Sequence, residues 1–193
     1  MHSELFRRDS PTDVIAATEA NLRLVSRLNG DFVAPALNEW RYATRHMANL
    51  LERPNDAAER DKALRHLERA YFDSSDILLT IVLDGFRAFD EDFGEYPEIV
   101  QNALPEFGKW RIELRDAKRL LTEGDRSSDR FESARKMDAA SGRLLQILDE
   151  IDENRPGLVV RVKKARQRER RELLALAAGL VAAVAAVLAL LLR

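Results

Sequence analysis

Two arginine–histidine pairs carry most of the chemical potential in this 193-residue chain: Arg41-x4-His46 and Arg60-x5-His66. An imidazole gives or takes a proton near neutral pH, and a guanidinium clamps phosphate through its fork of N–H donors. Arg and His near one face of a helix therefore point to phosphate chemistry, with the histidine moving the proton. Other chemistry is thinly supplied. There is no cysteine, hence no thiol nucleophile, redox pair or thiolate metal ligand, and the only further histidine is His2. The eight glycines are isolated, and neither GxGxxG nor GxxxxGK[ST] occurs.

The Arg-x4–6-His spacing resembles that of the helical ribonuclease superfamily called HEPN. Tyr42 and Asp61 follow the two arginines, where that pattern carries a polar residue, and the line His66, Arg69, Asp73, Asp76 is similar in style. The resemblance implies an all-α body. It also implies Arg41 with His46, or Arg60 with His66, in a shared cleft across a dimer, acting on an RNA 2′-hydroxyl. The plainer alternative makes Arg69 and Asp73 an i,i+4 surface pair, puts the histidines at the boundary between core and water, and uses Trp40 and Trp110 as core anchors. Di-metal helical bundles need Glu-x-x-His, but Ala43 and Ala63 stand three residues before His46 and His66. Asp90-Glu91-Asp92 and Asp149-Glu150-Asp152-Glu153 read as solvated helix ends. No metal and no cofactor is expected, and the chain reads as more a binding protein than an enzyme.

Apolar residues recur at three- and four-residue spacing and no stretch alternates as a strand would, so the elements holding these side chains are helices. Ser10-Pro11-Thr12-Asp13 starts the first, with a stripe of Val14, Thr18, Leu22, Val25 and Leu28 ending at Asn29-Gly30. A second, antiparallel to it, covers 34–52 with Leu37, Trp40, Thr44, Met47, Leu50 and Leu51 inward. A third runs over 57–93 as the spine, with Leu64, Leu67, Tyr71, Ser74, Leu78, Ile81, Gly85 and Phe89 as its seam. A fourth begins at Pro97 and breaks near Pro105. After a linker at 125–128, a fifth occupies 129–154, and Arg155-Pro156-Gly157 is expected to stop it. No internal repeat stands out. The fold class is all-α, a four- to five-helix bundle.

Charge divides the chain into three. Residues 1–160 carry −8, and 161–172 carry +5 through Arg161, Lys163, Lys164, Arg166, Arg168, Arg170 and Arg171. Residues 173–192 are twenty consecutive apolar positions, at about 1.5 Å each long enough for a bilayer core of about 30 Å. The expectation is an acidic body (1–157), a basic juxtamembrane collar (158–172) and a single C-terminal transmembrane helix (173–192), with no signal peptide at the N-terminus. Basic flanks face the cytoplasm, which puts the body there and the C-terminus on the far side. The collar would meet anionic lipids, and Ala175, Gly179 and Ala183 would form a small-residue face for span association. Without aromatic residues in the collar, nucleic acid is an unlikely partner. Arginine outnumbers lysine 25 to 6, which suggests a high-GC bacterial source. Function then reads first as a tail-anchored module that binds or scaffolds proteins at a membrane, by self-association or through a protein partner. A membrane-perturbing effector and a tethered helical ribonuclease are the alternatives.

Overall fold

The computed structural model describes the backbone over residues 10–29, 34–124 and 129–191, with side chains of the last helix described continuously through Ala182. There are six helices and no strand among the described residues: α1 (Pro11–Asn29), α2 (Ala34–Glu52), α3 (Ala57–Phe93), α4 (Pro97–Ala103), α5 (Phe107–Gly124) and α6 (Arg130–Leu191). The Ser10 hydroxyl accepts from the Asp13 amide at 3.2 Å while Asp13 accepts from the Ser10 amide at 3.2 Å, a reciprocal cap that starts α1. Asp56 caps α3 by accepting from the Glu59 amide at 3.1 Å. Pro105 parts α4 from α5, and Leu104, 3% exposed, fills the core at the break. The expected linker at 125–128 and Gly30 lie outside the described residues.

Helix α3 is the axis on which the rest pack. Its second half buries one broad face, through Leu78, Leu79, Val82, Leu83, Phe86, Phe89 and Phe93, and leaves Thr80, Asp84 and Arg87 exposed on the other. Where α3 crosses α6, a Cβ on Gly85 would stand 3.1 Å from Leu148 Cδ1, so glycine lets the two helices approach. Among the described residues every buried side-chain polar atom is paired, as in the Asn21 amide donating to the Ser75 hydroxyl at 3.1 Å.

Four expectations are corrected. First, α1 and α2 pack chiefly on α3 and not on one another. Second, α2 turns Ala36 and Ala43 inward, leaving Leu51 84% exposed, because small residues let it lie closer to α3; Leu28 of α1 is likewise outside the core, 49% exposed. Third, Arg155-Pro156-Gly157 is no joint, for α6 continues through it. Ala134, Met137, Ser141, Leu144, Leu148, Ile151, Leu158 and Val162 keep one three–four seam across the proline. A proline inside a helix costs about 3 kcal/mol. Burying Leu158 and Val162, each contributing about 1.5–3 kcal/mol, offsets it. Arg155 secures the place, donating to Asp92 at 2.9 Å and to Asp152 at 3.1 Å and lying 5.8 Å over the Phe93 ring.

The fourth correction concerns the transmembrane helix. Among the described residues no helix is long and apolar enough to cross a membrane. The apolar residues from Leu173 onward continue a helix that begins at Arg130 and is charged up to Glu172. The remaining side chains of the expected span lie outside the described residues, apart from Ala185. The single-pass topology, with a cytoplasmic body and the C-terminus beyond the membrane, falls with the span.

Candidate functional site

His46 on α2 and His66 on α3 come together. Their rings stack with centroids 5.3 Å apart and planes 7° from parallel. Each leans on a carboxylate of the opposite helix: His46 Nδ1 lies 2.7 Å from Glu59 Oε2, and His66 Nδ1 lies 2.6 Å from Glu39 Oε2. A carboxylate only accepts, so Nδ1–H donates in both bonds. The four side chains are 14–24% exposed, at the rim of the α2–α3 interface. Tyr42 also meets His66, with ring centroids 5.3 Å apart and planes tilted by 43°.

Backbone spacing explains the pairing. Glu39 and His46 are seven residues apart on α2, as are Glu59 and His66 on α3, so each pair shares one helix edge. Packed antiparallel, the two edges present Glu against His twice, about a local pseudo-two-fold axis. The same symmetry is written in the residues. Glu39, Ala43, Arg45 and His46 recur as Glu59, Ala63, Arg65 and His66, an E-x3-A-x-R-H motif shifted by twenty. Ala43 and Ala63, 1% and 2% exposed, form the close crossing beneath the clasp. Sequence reading passed over this repeat, although its four identities in eight positions were visible.

Glu59 is the best-held carboxylate of the set. The Asn49 amide donates to it at 2.8 Å, His46 at 2.7 Å and Lys62 at 2.9 Å, which lowers its pKa to about 2. Two turns past His66, burial raises the pKa of Asp73, and the negative charge of Glu39 raises it further. Among the described residues no group of three or more acidic or histidine side chains could hold a metal ion.

The two arginines of the expected pairs do not join the histidines. At about 100° per residue, Arg41 stands about 140° round α2 from His46, and Arg60 about 120° round α3 from His66. Both are exposed, and Arg60 donates to the Pro54 carbonyl at 3.3 Å. The clasp therefore joins imidazole to carboxylate, and Arg41 and Arg60 stand on other sides of their helices.

The second candidate region lies on α6. All seven collar cations are exposed on unbroken helix, and they divide into two stripes. Lys163, Arg166 and Arg170 turn toward the end of α3, while Arg161, Lys164, Arg168 and Arg171 follow another side. Arg166 lies 5.6 Å over the Tyr96 ring and 3.9 Å from Glu95, and Tyr96 donates to Glu169 at 3.2 Å. Beyond this contact Leu173, Leu174, Leu176, Leu180 and Val181 are 66–71% exposed. Ala175 and Gly179 are exposed beside them; the Ala183 side chain lies outside the described residues. Compared with known protein families, curated proteins and solved structures, the chain matches none.

Proposed function

We propose that this protein is a helical self-association module in which the bundle holds out the end of α6 as the element that binds a second copy. The observation that carries this reading is the run of five large apolar side chains on α6, two-thirds exposed and covered by nothing else in the described chain. Two such arms bring ten of these side chains together. Burying half of them contributes on the order of 10 kcal/mol, comparable with the about 4–15 kcal/mol lost in association. Charge selects the orientation. Side by side, helix axes are about 8–10 Å apart, which in a parallel pair sets one +5 collar against another. An antiparallel pair moves the collars to opposite ends, well beyond the about 8 Å over which salt leaves charges coupled.

Sedimentation velocity on the full chain and on a Leu176→Lys, Leu180→Lys variant tests the reading. The expected result is a concentration-dependent oligomer for the parent and a monomer of unchanged helicity for the variant. A parent that stays monomeric throughout the micromolar range, or an oligomer that survives both lysines, would overturn it.

A further inference from the structure

Where the C-terminal end of α3 meets the collar of α6, a cavity of about 430 Å³ opens to the surface. Small-molecule sites run from about 300 to 1,000 Å³, so it is large enough for a ligand with a ring-sized apolar part. Phe93, Val159 and Val162 form its apolar floor, and Lys163, Arg166, Gln167 and Arg170 its polar wall. These α6 residues follow at three- and four-residue steps and share one face of the helix.

The charges around the cavity do not balance. Its one acid, Asp92, is already engaged by the Arg155 guanidinium at 2.9 Å. Glu95 reaches only Arg166, at 3.9 Å, and Glu169 accepts from Tyr96. Lys163 and Arg170 form no ion pair with any described residue. Three cations within two helical turns, two of them unpaired, suit a dianion with three acceptor oxygens better than a singly charged carboxylate with two. Val159, 51% exposed at the rim, offers the accompanying apolar contact.

We propose that this cavity binds an amphipathic phosphomonoester, its phosphate held by Lys163, Arg166 and Arg170 and its apolar substituent laid on Val159, Val162 and Phe93. The site is independent of the exposed arm and of self-association through it.

Phenyl phosphate is the probe, titrated calorimetrically into the full chain beside inorganic phosphate and phenol. Phenyl phosphate should bind one per chain, about tenfold or more tighter than inorganic phosphate, with phenol giving no saturable heat. Lys163→Gln with Arg170→Gln should weaken it by about tenfold or more, whereas Lys164→Gln with Arg168→Gln, an equal charge change on the other stripe, should leave it within about twofold. Equal affinity for inorganic and phenyl phosphate would remove the role of the apolar floor and overturn the proposal. Equal loss in both variants would reduce the site to general cationic attraction and overturn it too. So would a single-stranded oligonucleotide that binds more tightly than phenyl phosphate and is lost with Lys164 and Arg168, since the collar would then be a nucleic-acid strip.

Discussion

The two halves of α3 are packed by opposite strategies. Toward its C-terminus it is wrapped in large apolar side chains, and Phe89 gathers Phe93 and Phe107 at centroid distances of 5.1 and 5.6 Å. Toward its N-terminus it meets α2 through two alanines and a polar clasp. Apolar burial is non-directional and indifferent to pH. The clasp depends on direction and on protonation. Protonating Glu59 weakens the acceptor that the Asn49 amide, His46 and Lys62 share. One long helix thus carries a permanent attachment at one end and a conditional one at the other, and α2 is the element on the conditional side.

Substitutions can break this contrast. Phe89→Ala should cost about 3–5 kcal/mol in denaturant unfolding and lower protection throughout the bundle. Pro156→Ala should move the other way, recovering part of the about 3 kcal/mol a helical proline costs, with the gain read from the midpoint of the same transition. If the variant were less stable, the seam through Leu158 and Val162 would depend on the proline.

The pH dependence gives the smallest and most local effect. Glu59 has a folded pKa of about 2 against an ordinary 4.5, so it stabilises the fold above 4.5 and that contribution is lost as pH falls toward 2. Asp73 has the opposite sign. Its folded pKa is raised above 3.8, so stability falls as pH rises from 3.8 through the folded value. Hydrogen exchange should show α2 amides losing protection first between pH 4.5 and 2, a step that Glu59→Gln removes. Asp73→Asn should stabilise the protein at neutral pH and have no effect below 3.8.

Much of the helical frame was legible because its signals are local. The Ser10–Asp13 cap, the start at Pro97 and the break at Pro105 each act within a few residues. What was misread depended on distance. Proline 156 was weighed as a local stop, when the seam from Ala134 to Val162 runs through it. The inward face of α2 was assigned by residue size, but a close crossing selects Ala36 and Ala43. Each histidine was paired with an arginine of its own helix, yet its hydrogen-bond partner is a glutamate of the other, a relation with no fixed sequence spacing.

Because α6 runs unbroken from the core past Pro156, the bundle and the exposed leucines are geared together. A flexible linker would let the tip sample every direction. Here each residue added between Arg170 and Leu173 would turn the apolar end by about 100° and advance it by about 1.5 Å relative to the cavity lined by Lys163 and Arg170. The angle at which a partner meets the protein is therefore set by residue count, as the phase of a screw thread is set by the number of turns.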